Sequence, residues 1–554
     1  MEENYSLSVY KIIFPYMRRY RLRYTVGFFC LLVVDGAQVL IPQIMRRAVD
    51  LVSGGSFILR DVMVLALAMV GGMAVISLGR FLWRYFIYGS ARRIEAEIRE
   101  NIFDHLLVLS WDFYQKNKIG DLMARSTNDL GQVRNAIGMG LVTMVDGTVM
   151  ALAILVIIFV QDAGAAGLAV IPLVPITLLI LLSSKMTGRL FERANRAWSD
   201  MSDTAQETFA GIRVVKSFVK EWWFTQRFTR DNDSYRKVNM SLTRVFGIFF
   251  PLVNFLAQIS TVILIAVGGR RVVLGLMSAG ELVSLFSYIQ MLIWPLMGAG
   301  FMVNMIRRGA VSLGRINEIL CAESSIKNPA EARRPLFEQA LSPGMPKDNA
   351  GENAIEIRGL SFAWEQGKPV LADIDLSVAD GVMLGILGPT GSGKSTLIKI
   401  LTRMADPPED TVRIYGIPSA SWNLEELRGI FGVAPQDSYL FSDSIKNNIG
   451  YGLSASGENS DTVAAGDDGH EDDAGKGDLF KNRRAQNRRR WFFGRSPAQP
   501  RVSGTDASPS DIVDQSHLIA KAARFSAIDQ DLPQFSRGFD TLIGERGLTL
   551  SGGQ

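Results

Sequence analysis

The sequence predicts an α-helical polytopic membrane domain followed by an α/β domain built on a phosphate-binding loop. Three observations predict it: about six apolar stretches before residue 304, two long polar helical stretches between them, and the run Gly388-Pro389-Thr390-Gly391-Ser392-Gly393-Lys394-Ser395, which fits GxxxxGK[ST]. At 554 residues and 48% hydrophobic, with mean hydropathy +0.15, the chain is too long for one domain and too apolar for a wholly soluble one. The net charge of +4 is small, and the basic residues flank apolar segments instead of forming a stripe, which argues against a nucleic-acid partner. Cys30 and Cys321 offer no disulfide framework, and His105, His470 and His517 show no ligand spacing, so the soluble half is read as cytosolic and without a His/Cys metal site.

Arg18, Arg19, Arg21 and Arg23 precede the first apolar stretch as in a signal peptide, but the stretch is too long and lacks a cleavage site. Spans are expected near 24–44, 62–82, 138–160, 164–183, 246–267 and 282–303, each long enough for a hydrocarbon core that needs about 20 helical residues. Short connections (45–61, 161–163, 268–281) alternate with two long stretches, 84–135 and 185–244, whose Arg and Lys content places them on the cytosolic side. Arg46, Arg47 and Arg60 fall on the outer side, against that trend. Asp35, Gln38, Arg80, Asp146, Asn254 and Gln258 lie in or near spans, where a polar group is costly and either lines a cavity or pairs with another. Arg80 has a second reading, a side chain that snorkels to the interface.

The membrane domain is assigned to 1–320 and a linker mixing Pro, Gly and charge to 321–352, leaving 353–554 as the soluble domain. Ile355, Ile357, Leu360 and Phe362, then Val370, Leu371, Ile374, Leu376 and Val378, alternate as antiparallel strands do. The run 382–387 reads as a buried strand and the residues from Thr396 onward as a helix, so the glycine loop lies between strand and helix. Glycines at 388, 391 and 393 let backbone N–H groups wrap phosphates at the positive end of that helix; Lys394 would reach the β- and γ-phosphates and the Ser395 hydroxyl would ligate Mg²⁺. Near 453–510 an acidic stretch followed by a basic one reads as a disordered insertion. Within it, Arg488-Arg489-Arg490-Trp491-Phe492-Phe493 has the alternative of an anionic membrane surface.

The glycine loop resembles a Walker A motif, and Ser551, Gly552, Gly553 and Gln554, after Leu550, resemble the signature of ATP-binding cassette (ABC) proteins. The segment from Phe113 through Gly120, Asp121 and Arg125 to Asn128-Asp129 is similar to the family's first coupling segment, and Glu207 with Gly211-Ile212-Arg213-Val214-Val215-Lys216-Ser217-Phe218 and Glu221 to the second. Gly120 and Gly211 are expected to break the long helices so that short crosswise helices form at the tips. Pro295, Asn304, Arg308, Gly309, Ser312, Arg315 and Ile316 add resemblance to bacterial multidrug-type half-transporters of the exporter class.

That resemblance implies ATP and Mg²⁺ as ligands, held by Gly388, Pro389, Thr390, Gly391, Ser392, Gly393, Lys394, Ser395 and Thr396. Trp364 would stack on adenine, with simple packing as the alternative. Gln436, in Gly432-Val433-Ala434-Pro435-Gln436-Asp437, would be the glutamine that touches Mg²⁺ and the attacking water at the join of two subdomains. Ser551, Gly552, Gly553 and Gln554 would serve the partner's ATP in a dimer, with a heterodimer favoured, and the cargo would be a small apolar or amphipathic molecule. The protein would be multi-pass in the inner or plasma membrane with its ATP domain in the cytosol. The family pattern runs on from the signature to a strand ending in Asp-Glu, so the domain is expected to be cut at the signature, without the Walker B aspartate, catalytic glutamate and switch histidine. A remnant that binds ATP at most is the alternative expectation, and an ATP-gated channel or regulatory subunit a third.

Because its composition buries too little apolar surface to order a core, deleting 453–510 should leave membrane insertion and nucleotide affinity nearly unchanged, measured by membrane fractionation and fluorescent-nucleotide titration. Loss of folding on deletion would make the segment structural.

Overall fold

The computed structural model describes residues 7–55, 58–329, 353–364, 369–436, 439–453 and 515–543. The insertion from 454 onward, most of the linker and the signature residues Ser551 to Gln554 lie outside the described residues. The chain forms two compact units, Met1–Gly429 and Ile430–Gln554.

The first unit begins with helices α1 (Arg21–Ser53), α2 (Leu59–Val108), α3 (Trp111–Lys116) and α4 (Ile119–Ala165). They are followed by α5 (Leu173–Ala210), α6 (Ile212–Ser217), α7 (Glu221–Val273) and α8 (Ala279–Leu320). Among the described residues five helices, α1, α2, α4, α7 and α8, are long and apolar enough to cross a membrane. The fourth expected span, near 164–183, contains the break at Pro172 and runs on into α5, whose stretch Leu173 to Ile180 is apolar. The chain is interrupted on both sides of the outer turn: Asp162 leaves helical geometry (φ −157°, ψ 96°), and the helix restarts at Leu173 after Pro172. Asp162 caps the new turn, accepting from the backbone N–H of Gly164 and of Ala165 at 3.0 Å each, and pairs with Arg271 Nε at 2.8 Å.

The first part of α2, Leu59–Trp83, is apolar all round, and only 11% of its most hydrophobic window is buried, so Leu67, Val70 and Leu78 present their side chains outward as a lipid-facing helix does. Two cores hold the bundle. One joins Ile87, Ile94 and Ile102 of α2 to Leu130 and Ile137 of α4 and Ile316 of α8; the other joins Ile154 and Ile158 of α4 to Leu264 of α7 and Tyr288 and Leu292 of α8.

The long helices do bend back at short tip helices, α3 and α6, but only one of the two expected glycines makes the break. Gly211 stands between α5 and α6 with non-helical geometry (φ −91°, ψ 15°). Gly120, by contrast, lies in the first turn of α4, and the break falls on Asn117 and Lys118, both extended. The Asn117 side-chain amide donates to Phe113 O at 2.9 Å, a local bond that competes with continuing the helix.

Residues singled out in the first arm and the last helix form one polar knot. Arg125 pairs with Asp121 (2.9 Å) and Glu318 (2.8 Å), Arg315 pairs with Asp121 (3.1 Å) and Asp129 (3.2 Å), and Ser312 Oγ donates to Asp129 at 2.8 Å. Nearby, a Cβ on Gly309 would overlap Ala136 and stand 2.6 Å from the Tyr10 hydroxyl, so α8 approaches α4 only because a glycine is there.

At the opposite ends of the helices the outer arginine that opposed the charge trend is explained. Arg46 pairs with Glu281 at 2.7 Å and lies 3.8 Å from Asp50. Asp50 in turn accepts from Gly280 N (2.7 Å) and Ser278 Oγ (3.0 Å), while Ser278 and Glu281 cap α8 reciprocally. A Cβ on Gly280 would overlap the Arg46 carbonyl and the Asp50 carboxylate. Arg47 and Arg60 are exposed.

The soluble part of the first unit carries an antiparallel sheet of β1 (Asn353–Ala363), β2 (Pro369–Ala379), β3 (Val412–Ile414) and β4 (Ile417–Pro418) in the order β2-β1-β3-β4. The two alternating runs pair antiparallel, Ile355 with Val378, Ile357 with Leu376, Leu360 with Ile374 and Phe362 with Leu371, with shifts of register along the pair that the alternation does not mark. Helix α9 (Lys394–Leu401) follows the glycine loop. The expected strand at 382–387 is not formed: its residues are exposed, Met383 and Leu387 almost completely, and no strand among the described residues lies beside it to complete a ladder. In the second unit α10 (Ile445–Ile449) is capped by Ser444 Oγ, and Ile445 N donates to Thr541 O at 3.0 Å, packing beside α11 (Gln515–Phe525).

Replacing Glu281 by Ala removes the Glu281 half of the reciprocal cap and the Arg46 partner, and should cost about 1–2 kcal/mol in a detergent melt. Glu281→Gln keeps the cap and should recover about half of that loss; equal losses for the two variants would show that the cap contributes nothing.

Candidate functional site

The glycine loop is shaped by what its neighbours exclude. Gly391 (φ +85°) and Gly393 (φ +91°) occupy left-handed backbone that side chains disfavour. A Cβ on Gly393 would sit 2.6 Å from Leu371 Cδ2 and 3.0 Å from Val370 O, so the loop presses on β2 at that point. A Cβ on Gly388 would stand 2.7 Å from Ser392 Oγ. Pro389, Thr390 and Ser392 complete the turn on the exposed surface.

Helix α9 is held by its buried apolar face, Leu397, Ile400 and Leu401, which leaves its N-terminus and Ser395 facing outward. Lys394 folds back across the loop, its ammonium donating to Gly388 O (2.7 Å), Pro389 O (2.8 Å) and Ser392 Oγ (3.3 Å). An ammonium inside a glycine turn at a helix start suits an anion: an anionic oxygen could compete with the carbonyls for the ammonium, and the helix end favours negative charge.

Trp364 lies against the same helix. Its indole Nε1–H donates to Thr396 Oγ1 at 3.3 Å, Phe362 meets it edge-on at 5.1 Å, and the Lys399 ammonium stands 5.7 Å from its ring centroid. The ring is half-buried and joined through Thr396 to the residue next to Ser395, which unites the two sequence features in one place.

Gln436 is exposed in irregular backbone of the second unit, and Ser551, Gly552, Gly553 and Gln554 lie outside the described residues. Among the described residues no group of three or more His, Cys, Asp or Glu side chains is placed to hold a metal, so a metal at this loop would depend on Ser395 and the phosphates themselves.

The membrane candidates separate. Asp35 is 3% exposed, neither carboxylate oxygen finds an N–H or hydroxyl donor, and the ionisable group that it faces is Asp146. Arg80 donates to Gln38 at 3.0 Å, Asn254 bonds back to Phe250 O of its own helix at 3.1 Å, and Gln258 is exposed.

Sequence reasoning missed the contacts that tie the first arm to the loop domain. His105 Nε2 meets Ala322 O at 2.8 Å, Ser110 Oγ meets Ser325 Oγ at 2.9 Å, and Ser325 Oγ donates to Asp112 at 2.9 Å. Partial burial pushes the Asp112 carboxyl up, but the Ser110 and Ser325 hydroxyls outweigh it and hold the group below the usual carboxylate range. Beyond these, Arg403 donates to Lys327 O at 3.4 Å and Leu424 N to Asn328 Oδ1 at 2.9 Å. No periodicity or motif marks these residues; they meet only through the fold.

Removing the Lys394 ammonium by Lys394→Ala should weaken nucleotide binding by about 30-fold or more in a fluorescent-nucleotide titration, since the loop loses its only side-chain cation. Equal affinity in parent and variant would remove the loop from the site.

Two family models match the chain, "ABC transporter transmembrane region" over residues 24–296 and "ABC transporter" over residues 371–554. The chain is 29% identical over 549 residues to a probable multidrug resistance ABC transporter ATP-binding/permease protein, YheI, of Bacillus subtilis, a match that spans 99% of this chain and 82% of that one. It is 28% identical to the multidrug resistance-like ATP-binding protein MdlA of Escherichia coli (97% and 79%) and 27% identical to an ATP-dependent lipid A-core flippase of Nitrosococcus oceani (100% and 80%). A solved structure of a bacterial Atm1-family ABC exporter with ATP bound shares the fold, with a TM-score of 0.65 at 20% identity, covering 97% of this chain and 82% of that one.

Proposed function

Because the chain belongs to the ABC transporter family, as a multi-pass half-transporter of the exporter type that binds ATP, we propose that it pairs with a second subunit and uses ATP to drive a small apolar or amphipathic molecule out across the cell membrane. The observation that carries this reading is the cradle itself, where Lys394, the left-handed glycines and Trp364 converge at the start of α9.

Each residue has a role that its geometry suits. Lys394 exchanges its bonds to Gly388 O and Pro389 O for β- and γ-phosphate oxygens, and the glycines let the backbone approach them without side-chain interference. Thr396 fixes the Trp364 ring through its hydroxyl, and the ring stacks on adenine. Ser395, exposed at the start of α9, would offer its hydroxyl to Mg²⁺, and the ion would supply charge neutralisation on the phosphates. Gln436 is proposed as the residue that orients water, and Ser551, Gly552, Gly553 and Gln554 as the segment offered to the partner's nucleotide.

The proposed cargo class is supported by the apolar membrane helices and by the relatives, whose names refer to multidrug resistance and to a lipid flippase. Asp35 and Asp146, facing each other in an apolar bundle, are the polar groups proposed to line its path.

The test is transport in inside-out membrane vesicles containing the protein with its natural partner subunit. ATP should drive accumulation of an amphipathic fluorescent dye, and Lys394→Ala should reduce it to the level seen without ATP. Accumulation that is equal with and without ATP, or unaffected by Lys394→Ala, overturns the proposal.

A further inference from the structure

One ammonium stands between two indole rings from distant parts of the chain. Lys399 Nζ is 5.3 Å from the ring centroid of Trp111, next to the tip of the first cytosolic arm, and 5.7 Å from that of Trp364. Lys399 is half-buried on α9, the helix that begins with Lys394, and among the described residues it has no carboxylate partner, so the two aromatic faces are its electrostatic partners. Trp111 is itself fixed. Its neighbours Ser110 and Asp112 bond Ser325 of the linker, His105 bonds Ala322, and Lys327 and Asn328 of the same linker bond Arg403 and Leu424 of the loop domain.

We infer that Trp111, acting through Lys399, positions the Trp364 ring and so couples the first cytosolic arm to the base of the bound nucleotide. This rests on the reading that Trp364 stacks on adenine. Trp111 and Lys399 are positioning residues: they touch neither phosphates nor base, and act by holding the ring that does. A cation on one side of the indole restricts the ring's orientation, and its second aromatic partner, on the arm, restricts the cation. A shift of the arm therefore changes how the ring is presented, and an occupied base site resists that shift, because coupling between two sites is reciprocal.

The experiment measures dissociation constants of ATP and of ribose 5′-triphosphate, which lacks the base, on the full chain in detergent. Lys399→Met should weaken ATP about two- to fivefold and leave ribose triphosphate unchanged, whereas Lys399→Arg, which keeps a cation over the rings, should bind ATP as the parent does. Trp111→Ala should weaken ATP to the same degree, and the Trp111→Ala, Lys399→Met double variant should be no weaker than either alone. Additive losses, or equal weakening of both ligands by Lys399→Met, overturn the inference while leaving the base reading intact. Trp364→Ala is the control on that reading: if it weakens both ligands equally, the ring does not hold the base, and reading and inference fall together.

Discussion

The structure depends on helices that pass without interruption from hydrocarbon into water. Helix α7 has 53 residues, roughly 80 Å of rod at 1.5 Å per residue, against a hydrocarbon core of roughly 30 Å. Most of its length must therefore stand in water while its backbone stays bonded internally, which a helix alone permits in both solvents. The same rod that crosses the bilayer is the arm that reaches toward the soluble domain. Any rigid-body displacement in the membrane is carried to the arm tips, because the connection contains no loop to absorb it.

Polar bonds are concentrated at the two ends of these rods. On the outer side Arg46, Asp50, Ser278 and Glu281 join the end of α1 to the start of α8. On the inner side Arg125, Arg315, Asp121 and Asp129 join the first arm to the end of α8, with Gly309 permitting close approach. Between them apolar packing fills the bundle, joined by hydrogen bonds between helices such as Tyr288 Oη to Val39 O at 2.7 Å and Gln290 to Thr261 at 3.0 Å, and Asp35 is buried there as well. The ionic clusters tie the helix ends, so sliding or tilting of α8 against α1 or against the first arm has to break them.

The soluble domain is organised around a local backbone conformation. Gly391 and Gly393 are left-handed, the second pressed on β2, and the helix that begins after them carries Lys394 back across the loop, Thr396 to the Trp364 ring and Lys399 to the arm. The linker residues Ala322, Ser325, Lys327 and Asn328 bond on both sides, to the arm and to the loop domain, so the connection between membrane and nucleotide halves is a fixed spacer over that stretch and not a tether.

Much of this was legible from the residues in order. Apolar runs of about 20 residues marked five helices that, among the described residues, are long enough to cross a membrane, alternation at 355–378 marked two strands that pair antiparallel, and the glycine spacing at 388–393 marked the left-handed turn before α9. These are properties of local periodicity and of backbone conformations that few residues tolerate, so the sequence by itself determined them. The strand expected at 382–387 shows the limit, since a ladder needs a neighbour and hydrophobicity does not provide one. Likewise Gly120 looked like a helix break, but the Asn117 amide bond to Phe113 O moved it. Only the tertiary structure decided which polar groups meet: Arg46 with Glu281, Asp35 facing Asp146, and Lys399 between Trp111 and Trp364. Those residues are separated by up to hundreds of positions, and their encounters are set by how rigid helices pack, a geometry that leaves no period or motif along the chain.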